Sequence, residues 1–299
     1  MRMLVLGSAA GGGFPQWNCT CPVCRLAWAG DARVKPRSQS SLAVTADGAR
    51  WLLLNASPDI RQQIIASPDL HPRGTRRHSP IAAVFVTNGD VDHLAGLLTL
   101  REQQGFALIG SRATLDQVAA TSLFGVLNTD LVHTRVAALE EPIETGLGLT
   151  VRPFAVPGKV PLYLEDAGLV VGAETESTVG LEISDGARQF FYVPGCAEIN
   201  ARVEARLRGA EVVFFDGTTF TDDEMVALGL SSKTAWRMGH VAMSGETGSM
   251  ARLANSGIAR KIYIHINNTN PVLVEDSDQR AIVERAGWEV GYDGMEVVL

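Results

Sequence analysis

The sequence predicts an α/β chain arranged as an αββα four-layer sandwich, in which two β-sheets pack face to face with helices outside and a site at one edge. Three observations carry this. Apolar runs of strand length alternate with helical patterns through both halves of the 299 residues. Several of those runs end in polar turns. No repeat, low-complexity tract or linker divides the chain, so a single domain over 1–299 is expected, with 46% hydrophobic residues to fill its core.

Met3 to Leu6 reads as the first strand and empties into a glycine-rich loop, Gly7 to Gly13. That loop lacks the spacing of a dinucleotide or P-loop cradle, so its glycines are expected to permit close backbone approach. LAVT and WLLLN flank Asp47-Gly48 and predict a hairpin from Ser41. Asn55 to Asp59 is expected to cap a helix running through Gln63, with Pro58 in its first turn. His71 and His78 lie in the polar connection 68–80 and read as solvated. Later strands are expected at Ile81–Val86, Phe106–Gly110, Gly148–Val156, Phe190–Val193, Glu211–Phe215, Ile262–Ile264 and on both sides of Asp293-Gly294. Capped helices are expected at Ser111–Thr121 and Ser277–Ala286, and another after His240 to about Asn255.

The Ile81–Val86 run ends in Asn88-Gly-Asp90-Val-Asp92-His93. A strand-to-helix turn with a capping aspartate explains such residues individually. Two carboxylates and an imidazole within four residues are better explained by a divalent cation that neutralises them. Upstream, Cys19, Cys21 and Cys24 let thiolates converge from one tight loop, which suits a structural Zn(II). Cys19 and Cys21 are too close in sequence for an unstrained disulfide. The fourth ligand must come from afar, and Cys196 and the polar segment beginning at His265 both remain candidates. Asp216, ahead of Gly217, reads slightly better as a turn former than as a ligand.

The net charge of −7 carries no basic block, which argues against a nucleic-acid partner, and no apolar run reaches the length of a membrane span. Crowding three of four cysteines into six residues is unlike a secreted disulfide framework and fits a reducing cytoplasm. A homodimer is left open.

The turn at 88–93 resembles the His-x-His-x-Asp-His signature of the metallo-β-lactamase superfamily, with Asn88 and Asp90 in place of the first two histidines. Two further departures follow from the resemblance: no histidine near Pro157–Pro161, and Gly195 where a metal-bridging aspartate would stand. GSAAGGGFPQWNCTCPVC, TNGDVDHLAGL, YVPGC, MGHVAMSG and HINNTNP together resemble the pyrroloquinoline quinone (PQQ) biosynthesis protein B family over the full chain. The resemblance implies the metallo-β-lactamase fold, Asp90, Asp92, His93 and His265 as ligands of an active-site Fe(II), and His240 with Asp92 as the catalytic pair. It also implies an O2-using hydroxylase acting on the tyrosine ring of a cross-linked Glu-Tyr precursor. A helix beginning just after His240 would lower its imidazole pKa. A carrier of the quinone in its transport and a zinc hydrolase are the alternatives.

Overall fold

The computed structural model describes residues 1–299 other than Thr75 and Ala167. The first half of the chain supplies β1 (Arg2–Gly7), β2 (Ser41–Thr45), β3 (Trp51–Leu54), β4 (Ile81–Val86), β5 (Phe106–Gly110) and β6 (Val132–Val136). The second supplies β7 (Ile143–Glu144), β8 (Thr150–Gly158), β9 (Ala173–Ser184), β10 (Gln189–Val193), β11 (Val212–Asp216), β12 (Arg260–Ile264) and β13 (Trp288–Val290). A last strand, β14 (Glu296–Val298), returns to the first half. Two seven-stranded sheets result, ordered β14-β1-β2-β3-β4-β5-β6 and β13-β12-β11-β10-β9-β8-β7.

Strand periodicity produces the layers. Leu52, Leu54 and Phe85 from one sheet meet Tyr192, Phe214, Ile262 and Ile264 from the other in a shared inner core. Their sequence neighbours point outward. Trp51, Leu53 and Val86 pack with Ile60, Leu94 and Leu115 on one side. Phe191, Val213 and Phe215 pack with Val203, Leu207, Val283 and the cysteine loop on the other. Four layers are therefore present, as the sequence predicts.

Within each sheet the parallel strands position the site. β3 through β6 run parallel, as do β10 through β13. Connecting helices cross back over the outer faces, so the carboxyl ends of β4, β11 and β12 converge on one edge, where ligands gather in parallel sheets. The glycine-rich loop after β1 reaches the same edge: Ile266 N–H donates to the Ser8 carbonyl at 2.8 Å and Ala10 N–H to the Ile266 carbonyl at 2.9 Å. A side-chain carbon on Gly11 would stand 3.4 Å from the Asp92 carboxylate, which is the close approach expected of this loop.

Two expected elements differ. Asn55 does not cap a helix; the helix is Ile60–Ala66, and Asn55 is buried with φ +64°. Its Oδ1 accepts from the Thr87 N–H at 2.9 Å, which ties the 88–93 turn to β3's end. The segment after His240 is a loop until the single turn Ser249–Arg252, because Gly245 and Gly248 interrupt the helical pattern. Among the described residues no helix is long and apolar enough to cross a membrane.

Candidate functional site

β4 delivers Asn88 and Asp90 on a turn and Asp92 and His93 in the one-turn helix Val91–Leu94. β12 delivers His265, held at φ +54°, a conformation that costs a residue with a side chain energy and that persists where surrounding contacts enforce it. Asp92 Oδ2 lies 3.0 Å from His265 Nε2 and 3.9 Å from His93 Nε2. One ligand atom from each of these three residues falls within 4.8 Å of the others, a spacing that fits a metal ion.

The hydrogen bonds fix which nitrogens are free. Asn88 Nδ2 donates to Asp90 Oδ2 at 2.8 Å, so its amide oxygen must face the other way, 2.6 Å from His93 Nδ1. An oxygen there only accepts, so Nδ1 carries the proton and Nε2 presents its lone pair. That Nε2 is buried with no hydrogen-bond partner among the described residues. A buried nitrogen so oriented, beside a carboxylate and a second imidazole, is what a divalent metal would complete. Burial pushes His93 down to about 4, which keeps it neutral, as a ligand must be. Burial opposes ionisation of Asp92, but the hydrogen bond and charge of His265 outweigh it and hold the carboxyl well below its usual range. The same contact with Asp92 overcomes burial to raise His265.

Asp90 lines the same cavity but lies outside that closest trio; its carboxylate orients the Asn88 amide instead. Burial and the neighbouring Asp92 charge push its carboxyl up.

Asp216 is more than a turn former. It is fully buried at the end of β11, and its Oδ2 accepts from the Cys196 N–H at 2.9 Å and pairs with His240 Nδ1 at 2.7 Å. Its Oδ1 accepts from Thr218 Oγ1 at 2.7 Å, and the same hydroxyl lies 3.0 Å from His265 Nδ1. With its own proton on Asp216, Thr218 accepts from Nδ1–H and leaves His265 Nε2 aimed at Asp92. His240 stacks on His265 with centroids 5.0 Å apart. It follows Gly239, the left-handed cap of Ala235–Met238, rather than opening a helix. Its partner is thus the Asp216 carboxylate, not the helix amino terminus expected from sequence. Asp216, His240 and His265 form a second group with metal-ligand spacing. A cavity of about 350 Å³ opens over Asp90, Asp92, His240 and His265, and a larger one of about 690 Å³ meets it at His240.

The cysteine site is separate. Cys19, Cys21 and Cys24 are buried with their sulfurs within 4.8 Å of one another. The segment beginning at His265 faces them: Asn268 Nδ2 is 3.3 Å from Cys24 Sγ, and its carbonyl oxygen is 3.7 Å from Cys21 Sγ and 3.8 Å from Cys24 Sγ. Cys196 does not, its sulfur bonding to the Glu198 carbonyl at 3.0 Å. Burial opposes ionisation at Cys19 but hydrogen bonds from Cys21 lower its pKa, whereas burial pushes Cys21 up to about 12. A thiol so raised ionises only with a cation beside it, and convergent soft donors suit zinc.

The beta-lactamase superfamily domain model matches residues 50–266. Coenzyme PQQ synthesis protein B from Methylorubrum extorquens is 57% identical over 299 residues, covering all of both chains, and that from Xanthomonas oryzae is 50% identical at the same coverage. The chain belongs to the coenzyme PQQ synthesis protein B family. The crystal structure of Zn(2+)-bound PqqB from Methylobacterium extorquens superposes with a TM-score of 0.98 at 57% identity, covering the whole of both chains. A diphosphatase of the PhnP family, 19% identical with a TM-score of 0.69, shares the fold. The departures from His-x-His-x-Asp-His acquire places: Asn88 bridges Asp90 and His93 through its amide, and Lys159 follows β8 where a histidine was expected. A side-chain carbon on Gly195 would stand 3.6 Å from His240. Thr218 was not singled out in the sequence; a hydroxyl two residues beyond a strand-end aspartate is the signal that could have found it. His71 and His78 lie in the 68–80 connection and in neither histidine-containing group.

Proposed function

We propose that this protein is an iron-dependent, O2-using hydroxylase acting in PQQ biosynthesis on the tyrosine ring of a cross-linked Glu-Tyr precursor. The observation that carries the reading is the Asp92–His93–His265 trio with its unpartnered His93 Nε2, a two-histidine, one-carboxylate donor set suited to Fe(II) with open positions. Bound iron supplies O2 activation. One oxygen atom would enter the ring and the other leave as water, with two electrons from an external reductant and two protons from solvent. Asp92, His93 and His265 would hold the metal, and His240, steadied by Asp216, accepts and returns the phenolic proton at Nε2. The cavity, about 350 Å³, has room for a ring of this size.

A zinc hydrolase finds support in the zinc of the Methylobacterium structure and in the superfamily's usual metal-dependent hydrolysis. Asn88, Gly195 and the absence of a histidine near Pro157–Pro161 oppose it, since they remove customary ligands of the superfamily's metal pair and leave only Asp216, His240 and the shared His265 as a second group. A carrier role leaves the trio without a purpose. The test is anaerobic reconstitution with Fe(II) of the parent and of His93→Ala and His265→Ala. Oxygen uptake should require both iron and the dipeptide, and each variant should lose iron while keeping the cysteine-bound zinc. Iron at parental occupancy in both variants, or iron-independent uptake, defeats the reading.

A further inference from the structure

The cavity that Asp90 and Asp92 line also holds a cluster of cations that the chain's net charge of −7 does not foretell. Three cations share one carboxylate. Lys159 Nζ lies 2.9 Å from Glu165 Oε1, while Lys233 Nζ and an Arg237 Nη lie 3.0 and 3.2 Å from Glu165 Oε2. Lys159 is 11% exposed and packs its stem against Gly239, next to His240. Lys159, Glu165 and Lys233 line the cavity itself. The loop that carries Lys159 is pinned over the metal turn, with the Tyr163 hydroxyl donating to the Gly89 carbonyl at 2.9 Å.

As a stabilising device this arrangement is poor. A single carboxylate satisfies one cation; a second and third repel each other and hold long side chains in place for little return. Arg237 also keeps one half of its guanidinium fork idle: Nη1 is buried and makes no hydrogen bond among the described residues. Glu165 thus takes up only part of the donor capacity of two ammonium groups and a guanidinium, which leaves donors for the oxygens of a further carboxylate. The surplus is two positive charges, three cations against one carboxylate. Asp90 and Asp92 line the same cavity and offset this surplus on the side of the trio, while Lys233 and Arg237 share the Glu165 oxygen that Lys159 does not meet.

We propose that Lys159, Lys233 and Arg237 form a carboxylate-binding subsite at the mouth of the metal cavity, taking the anionic end of a small amino-acid-derived aromatic substrate and setting its ring toward Asp92, His93 and His265. The assignment of the ring rests on the function proposed above; the subsite itself does not. Glutarate serves as probe and glutaramide as its uncharged control. Titrated into the 15N-labelled protein as purified, glutarate should shift the Arg237 Nε–Hε resonance saturably and glutaramide should not. Lys233→Gln should weaken that binding about tenfold, the loss expected for one charge-assisted hydrogen bond, and Lys233→Arg should restore most of it. Equal shifts from glutaramide, or glutarate binding that survives in a Lys233→Gln, Arg237→Gln protein, overturn the subsite. Hydroxylation of the cross-linked dipeptide with an unchanged KM in that double variant also overturns it while leaving the proposed reaction standing. Glutarate binding that depends on both residues, in a protein inert toward the dipeptide, supports the subsite and defeats the proposed substrate.

Discussion

Asn88 occupies the first ligand position of the superfamily signature, yet its contacts assign it to the support of His93. Replacing it by alanine tests that role. The side chain is 7% exposed and its Oδ1 is 2.6 Å from His93 Nδ1, so little water can take its place. Asn88→Ala therefore leaves Nδ1 without its acceptor and frees the ring to adopt the other tautomer, in which Nε2 carries the proton and cannot ligate. Partners of this kind are worth about 10- to 100-fold in metal affinity, or roughly 1.4 to 2.7 kcal/mol. The assay is competition of the iron or zinc-loaded protein against a chromophoric chelator, resolving the trio from the cysteine site. Only the trio should weaken, and the 15N shifts of His93 in the metal-free protein should move toward a tautomer mixture. A variant whose trio binds within about twofold of the parent, against the 10-fold minimum for such a partner, would refute the reasoning and return Asn88 to turn chemistry.

Cys21→Ser should lose the cysteine-site zinc and lower thermal stability together, as a structural zinc contributes to folding; full zinc content at an unchanged Tm contradicts this. Asp90→His removes the carboxylate that orients the Asn88 amide and adds a softer donor, so the zinc-to-iron ratio after competition should rise and oxygen-dependent turnover per iron should fall. Unchanged metal preference and turnover would leave Asp90 without a role at the metal. Glu224 gives the pH prediction: burial raises its carboxyl to about 7 from an ordinary 4.5, despite hydrogen bonds from Thr269 and the Phe220 N–H. A folded-state pKa above the unfolded one contributes stability that is whole below pH 4.5 and is lost as pH rises toward 7. Glu224→Gln should remove that slope, worth at most about 3 kcal/mol between the two ends, in denaturation at pH 5 and pH 7.5; an identical slope in the variant counts against it.

Strands buried on both faces were legible because their apolar runs are unbroken: β4, β10, β11 and β12 stand within two residues of their expected bounds. The longest strand, β9, was not, since Ala173–Ser177 is polar and only half covered, which erases periodicity. The members of the Asp92–His93–His265 trio could be named from strand-end position and resemblance. Their mutual geometry could not, because the proton on Asn88's partner nitrogen is decided by Asp90, and the placement of His265 by Thr218 and Asp216 from another strand. The sequence reading of Asp216 as a turn residue weighed a local dipeptide against contacts 24 and 49 positions away, to His240 and His265. His240 went astray for a related reason. Helical spacing after it was real, but glycines at 245 and 248 made the segment a loop.

The chain's last dozen residues serve both sheets. β13 forms the outer strand of one and β14 the outer strand of the other, and between them Asp293 accepts hydrogen bonds from the backbone and hydroxyl groups of Ser8 and Ser38. A nonsense change just beyond the helix Asp278–Arg285 would thus do more than trim a tail. It would bare the margins of β12 and β1 at once, two rows of unpaired backbone groups on opposite sheets of one molecule, which is the form in which a monomer recruits its neighbours into aggregates from both sides.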